Sequence, residues 1–179
     1  MKADYQWLKP WVARISNKSI LELGAGNGID SACLRRYCRT LVATDLKSNQ
    51  ELEISYLDHG KPLPFDENSF DVVVASLTLH YFYWDHTAEI INEICRVLQS
   101  GGLLICRVNS ANDDHYGANG YPEIEPGLYS VNGQQKRFFT REDIVTLFDE
   151  KWNLESIEEK RIDRYRHPKM VWEFGAINS

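Results

Sequence analysis

No apolar run in this chain of 179 residues approaches the roughly 20 residues needed to span a bilayer, so a membrane-crossing helix is not expected. The opening stretch, MKADYQWLKPWVARI, is interrupted by polar and charged residues and does not read as a signal peptide. Cysteine is scarce: Cys33, Cys38, Cys95 and Cys106 show no C-x-x-C spacing, which argues against a zinc ribbon, a redox pair or a disulfide framework. Cys33 and Cys38 fall near one face of a helical stretch and are expected to be buried as small hydrophobes. The five histidines are scattered without metal-ligand spacing, so no metal site is expected. Basic residues are outnumbered, 20 against 26 acidic, leaving a net charge of −6. Such a chain gains little from neutralising phosphates, and nucleic acid is not its default partner. Internal repeats and low-complexity linkers are absent as well. Reduced thiols and the lack of a leader point to the cytoplasm.

What remains is a globular profile, 43% apolar and 12% aromatic, of a length that suits one domain over residues 1–179. Strand and helix patterns alternate, which argues for an α/β fold around a mostly parallel sheet. Leu8, Trp11, Val12 and Ile15 have helical spacing. Strands are expected at Ser19–Leu23, Thr40–Asp45, Leu52–Leu57, Phe70–Ser76, Leu103–Val108, Leu154–Ile162 and Met170–Ile177. Phe70–Ser76, FDVVVAS, is almost continuously apolar, as a strand buried on both faces must be. Ile29, Ala32, Cys33 and Tyr37 form one helix stripe, and Ile90, Ile91, Ile94, Val97 and Leu98 another. Thr140 to Asp143 has capping-box form before a further helical pattern. Residues 109–139 fit no helix. Asn132-Gly133 within them signals a hairpin, and an insertion at the carboxyl end of the sheet is expected to cover a ligand site.

The stretch ILELGAGNGID, Ile20–Asp30, carries the chemistry. A strand runs into glycines 24, 26 and 28 and then into a helix. Gly24 and Gly26 permit a tight turn and close approach of a ligand to the backbone. Asp45, 21 residues after Gly24, ends the second strand, where a carboxylate can accept from ribose hydroxyls. The dinucleotide fingerprint is G-x-G-x-x-G, whereas the spacing here is G-x-G-x-G. Glu22, two residues before Gly24, would repel a pyrophosphate but suits the ammonium group of a methionine moiety.

ILELGAGNG resembles motif I of class I S-adenosylmethionine (AdoMet)-dependent methyltransferases. LVATDLK resembles their second strand with its ribose-binding acid. YLDHGKPLPFDENSFDVVVASLTLHYF resembles their acid-bearing loop followed by the L-P-F and F-D-x-V motifs. EICRVLQSGGLLI resembles their E-x-x-R-V-L-x-x-G-G helix-turn-strand. The four run in the expected order across Ile20–Val108. The resemblance implies a Rossmann-like, doubly wound seven-stranded sheet of order 3-2-1-4-5-7-6 with strand seven antiparallel. It implies AdoMet as cofactor and S-adenosylhomocysteine as product. It places Glu22, Gly24, Ala25 and Gly26 at the glycine loop, Asp45 and Leu46 at the ribose, and Asp58 on the adenine amino group. It also has His59 lend a backbone N–H, with Ser76 and Leu77 bordering the methionine end. A looser likeness to small tellurite-resistance-type methyltransferases rests on compact size and a basic stretch before the final strand. The chain departs from the family pattern in one respect: only 12 residues separate Asp45 from Asp58, which leaves little room for a crossover helix.

Displacement at a sulfonium releases a neutral sulfur, so positioning and desolvation can supply most of the catalysis. A base is needed only for an acceptor that arrives protonated. His80 is the candidate base. Tyr5, Trp11, Tyr81, His115 and Tyr116 are candidates for an aromatic acceptor pocket, although core or a supporting position behind the pocket is the blander reading of any single one. The basic run KRIDRYRHPK, Lys160–Lys169, reads as a solvated hairpin, with attraction of an anionic acceptor or partner as the alternative. The leading reading is a methyltransferase acting on a small molecule. Alternatives are a nucleic-acid or protein methyltransferase, a non-catalytic AdoMet-binding module acting through a partner, and an NAD-dependent enzyme.

Overall fold

The structure, a computed structural model, describes residues 6–179. A 3-10 segment, Gln6–Trp11, leads into a single helical turn α1 (Val12–Ile15). Then follow β1 (Ser19–Leu23), α2 (Ile29–Leu34), β2 (Thr40–Asp45), β3 (Ile54–Tyr56), β4 (Phe70–Ser76), α3 (Trp84–Val97) and β5 (Leu98–Asn109). The insertion carries β6 (Glu123–Glu125), β7 (Leu128–Val131) and β8 (Gln134–Arg137). The chain closes with α4 (Arg141–Leu147), β9 (Trp152–Ile162) and β10 (Lys169–Asn178).

Seven strands form the main sheet in the order β3-β2-β1-β4-β5-β10-β9, with β10 antiparallel to both neighbours. With the insertion strands set aside, this is the order 3-2-1-4-5-7-6. β4 lies at the centre, and its Val72, Val73, Val74 and Ala75 are all buried. The polar gaps that mark a half-exposed strand would be costly there. α3 turns Thr87, Ile90, Ile91, Ile94 and Val97 to the sheet. Thr140 caps α4 reciprocally with Asp143, as its sequence pattern required.

Two local expectations change, and the short β2–β3 connection is as its length suggested. Pro10 lies inside the first segment, which is 3-10 rather than α-helical. α2 ends at Leu34, so the helical period no longer applies at Tyr37. Tyr37 and Ala32 are exposed, and the buried face is Ser31, Cys33 and Leu34. No helix joins β2 to β3: turns and an antiparallel bridge between Asn49 and Ile54 make the crossover. The insertion folds as a three-stranded antiparallel sheet of order β6-β7-β8. Its β7–β8 turn has Asn132 at φ 51° and Gly133 at φ 82°, the two positive values a type I′ hairpin needs.

Candidate active site

The glycine loop leaves the carboxyl end of β1. Gly24 has φ 68°, and a Cβ there would come within 2.6 Å of Thr78 Cβ, so the position needs glycine on two counts. The Gly26 N–H donates to Asp45 Oδ2 at 2.9 Å and the Lys47 N–H to Asp45 Oδ1 at 3.0 Å. Asp45 is thereby fixed at the end of β2, with Leu46 exposed beside it. Asp58 follows β3, accepts from the Gly60 N–H at 3.0 Å and pairs with Lys61 at 3.6 Å. His59 is buried and its Nε2 lies 3.2 Å from the Thr78 carbonyl oxygen; burial holds its pKa below the usual histidine value. Glu22 is buried beneath the loop and accepts from the Ser31 hydroxyl at 2.5 Å. Burial raises its pKa to about 7, against the lowering effect of the Ser31 hydrogen bond.

Next to the loop opens a cavity of about 370 Å³. Gly24, Ala25, Gly26, Ser76 and Leu77 form its floor, with His80 and Tyr81 from the β4–α3 loop. Leu77 has φ 55°, an uncommon conformation for a residue with a side chain, and its N–H donates to the Arg107 carbonyl at 2.9 Å. His80 is 2% exposed, and its Nδ1 has no hydrogen-bond partner among the described residues. Burial first, then nearby Lys169 and Lys136, hold it well below the usual histidine pKa, so it is a neutral imidazole.

The far walls come from the insertion and the β9–β10 hairpin: Tyr116, Lys136, Arg164, Tyr165 and Lys169. Buried Asp113 ties the two together. Its Oδ1 accepts from the His115 and Tyr116 N–H groups at 3.0 and 2.7 Å, and its Oδ2 accepts from the Met170 N–H at 2.8 Å. The Tyr116 hydroxyl donates to the His167 carbonyl at 2.8 Å. Buried Arg137 clamps the β4–α3 loop to the insertion. Its backbone N–H donates to the His80 carbonyl, and its guanidinium reaches the Phe82 and Pro126 carbonyls and the Glu125 carboxylate. Arg107, 1% exposed, donates to Ser76 Oγ at 3.0 Å and lies 4.3 Å from the Trp7 ring centroid.

Of the residues expected from sequence, Gly24, Ala25, Gly26, Ser76, Leu77, His80, Tyr81 and Tyr116 meet at this cavity. Asp45 reaches it through its bond to Gly26. Asp58, His59 and Leu46 do not line it; they lie along the ends of β2 and β3. Two acceptor-pocket expectations are corrected. Trp11 does not line the cavity but packs against Leu8, Ile15 and Ile20 and within 2.9 Å of where a Cβ on Gly175 would stand, because that glycine leaves a slot in β10. His115 is exposed and stacks on His167 at 5.0 Å, since the chain turns at Asp113 and brings Tyr116 to the cavity instead. Tyr5 lies outside the described residues. Sequence reasoning missed Thr78, Arg107 and Lys136 as site neighbours. The basic run reads from sequence as a solvated hairpin, whereas in the structure its Arg164, Tyr165 and Lys169 reach the glycine loop's cavity. No group of three or more metal-ligating side chains occurs among the described residues, and none of their helices is long and apolar enough to cross a membrane.

A methyltransferase-domain profile matches residues 21–106. An uncharacterized methyltransferase of Mycobacterium tuberculosis is 32% identical over 106 residues, 55% of this chain and 41% of the relative. The demethylmenaquinone methyltransferase of Clavibacter sepedonicus is 31% identical over 112 residues, 55% of this chain and 44% of that protein. This chain thus spans well under two thirds of the length of those relatives. Among solved structures, an S-adenosylmethionine-dependent methyltransferase from Mesorhizobium loti superposes with TM-score 0.74 at 18% identity, covering 98% of this chain and 100% of that one. The Burkholderia thailandensis 1,6-didemethyltoxoflavin-N1-methyltransferase, with 1,6-didemethyltoxoflavin and S-adenosylhomocysteine bound, superposes with TM-score 0.73 at 18% identity, covering 98% and 80%. Over residues 21–106, just under half of its length, the chain is thus similar to methyltransferases, and the glycine cradle and Asp45 fit AdoMet as cofactor.

Proposed function

We propose that the protein transfers a methyl group from AdoMet to a small-molecule acceptor, and that residues 1–179 act as one domain with residues 109–139 as the cover. One observation carries the reading: a single cavity of about 370 Å³ is floored by the cofactor loop and walled by aromatic and polar side chains of the cover. That volume is of small-molecule scale. The two similar proteins with named acceptors, demethylmenaquinone and 1,6-didemethyltoxoflavin methyltransferases, also support a small acceptor. When bound, AdoMet supplies an electrophilic methyl group on a sulfonium whose sulfur leaves neutral.

The chain's own residues do the rest. Gly24, Ala25 and Gly26 admit the methionine end, where Ser76 and strained Leu77 border it. Asp45 accepts from the ribose hydroxyls, with Leu46 against the ribose. Asp58 and the His59 N–H take the adenine edge. Glu22 acts from beneath: its bond to Ser31 braces the loop against α2. Tyr81 and Tyr116 exclude water and orient the acceptor. His80, neutral and buried, can accept a hydrogen bond from an acceptor but is a weak base. The four cysteines are free thiols, in keeping with a cytoplasmic setting.

The test is formation of S-adenosylhomocysteine from AdoMet with a panel of small nucleophiles, RNA and protein in separate arms. Turnover confined to small molecules supports the reading. Turnover confined to RNA or protein contradicts it.

A further inference from the structure

We propose that the methyl acceptor carries an oxyanion, a carboxylate or a phosphate, and that Lys136 and Lys169 bind it. The proposal deepens the methyltransferase reading and rests on it. Lys136 stands on β8, and Lys169 opens β10; both are half-buried and both line the cavity floored by the glycine loop. Neither forms an ion pair among the described residues, although the protein as a whole has six more acidic than basic residues. Lys169 lies 5.0 Å from the Tyr116 ring centroid and 5.6 Å from that of Tyr165, so aromatic walls enclose its ammonium group.

Arg164 lines the same cavity, and Arg107 is near enough to act on Lys169. The carboxylate that acts on Lys169, Asp113, already accepts three backbone N–H groups. Among the described residues, Asp30 is the only acid in the cavity lining. Burial, then the neighbouring cations, bring the Lys169 pKa down to about 8. This is the response of an ammonium group that is largely removed from water and has other cations beside it.

The charge balance of the loaded site points the same way. AdoMet brings a sulfonium, an ammonium and one carboxylate, a net single positive charge, into a cavity whose cover is already cationic. Lys136 belongs to the insertion and Arg164 and Lys169 to the β9–β10 hairpin, not to the cofactor loop. An anionic acceptor is the partner that makes the ternary complex electrostatically favourable. If the oxyanion is itself the nucleophile, its lone pair forms the new bond to the methyl carbon. The carbon–sulfur bond breaks with its pair going to sulfur, and no proton is released.

The probes are benzoate, phenyl phosphate, benzamide and benzylamine, titrated into protein saturated with S-adenosylhomocysteine. At least one anion should bind about tenfold more tightly than benzamide, and benzylamine most weakly. Benzoate above phenyl phosphate indicates a carboxylate acceptor, and the reverse order a phosphate. Lys136→Gln and Lys169→Gln should each remove most of that preference, and Lys136→Arg and Lys169→Arg should retain it. The Kd for S-adenosylhomocysteine should change by less than about twofold in all four variants. Equal binding of anions and benzamide overturns the proposal. So does a parallel tenfold loss of S-adenosylhomocysteine affinity in the Gln variants, which would assign the lysines to the cofactor's carboxylate. If the wild-type protein does not bind S-adenosylhomocysteine at all, it is the methyltransferase reading that fails, before any acceptor is tested.

Discussion

Gly24 shows how much one residue can decide. Its positive φ and its closeness to Thr78 leave no space for a side chain. Left-handed backbone costs an ordinary residue about 1–2 kcal/mol, and the overlap with Thr78 adds to that. Gly24→Val should therefore lower stability by more than about 2 kcal/mol in urea unfolding and weaken S-adenosylhomocysteine binding at least ~tenfold. Retained affinity would mean that the ligand does not approach this loop. Glu22 makes a different prediction, about pH. Its folded pKa, about 7, is above the ordinary 4.5, so between those values the folded state holds the extra proton. Stability from this group is complete below about pH 4.5 and declines as pH rises to 7, by about 3 kcal/mol in all. Glu22→Gln, which keeps the shape without the titration, should flatten that slope in denaturant titrations at pH 5 and pH 7.5. For His80, burial among cations keeps the imidazole neutral across the physiological range. The kcat profile between pH 6 and 8 should show no inflection that His80→Gln abolishes; finding one would restore His80 as a titrating base.

At the scale of elements, the seating of the insertion on the final hairpin depends on Asp113. Three backbone N–H groups from two separate segments converge on its carboxylate. Asp113→Ala strands them and should cost about 2–4 kcal/mol, the sum of several lost charge-assisted bonds after partial rehydration. Amide exchange should quicken at residues 113–116 and at Met170. The acceptor KM should rise several-fold, with little change in S-adenosylhomocysteine affinity. A matching loss of cofactor affinity would show that the cover and the cofactor loop are one unit.

The strands of the main sheet were legible because each carries its own signal. FDVVVAS is buried on both faces, and β10 shows apolar residues at both parities because it sits between β5 and β9. The Asn132-Gly133 turn was legible because backbone sterics alone demand it. Trp11, His115 and the cavity lysines were not. Where Trp11 packs depends on a glycine 164 positions away. Lys136 and Lys169 become neighbours only when the insertion folds over the final hairpin. Periodicity describes a face of one element, not which faces meet. β6, only three residues long and largely exposed, offered no apolar pattern to read.

Over the whole molecule, the proposed reading makes the glycine loop, Asp45 and Asp58 beyond β2 and β3, and the cavity beside the insertion one binding site for an adenosyl ligand. Occupying that site must stabilise the entire fold, because a ligand that binds only the native state shifts the unfolding equilibrium. The most direct measurement is thermal unfolding of the wild-type protein with S-adenosylhomocysteine, and in parallel with NADH. At about 100 times its Kd the ligand adds about 2.7 kcal/mol, which raises the Tm of a domain of this size by roughly 5–10 °C. The account predicts that rise with S-adenosylhomocysteine and none with NADH. A rise with NADH alone, or no rise with millimolar S-adenosylhomocysteine, would contradict it.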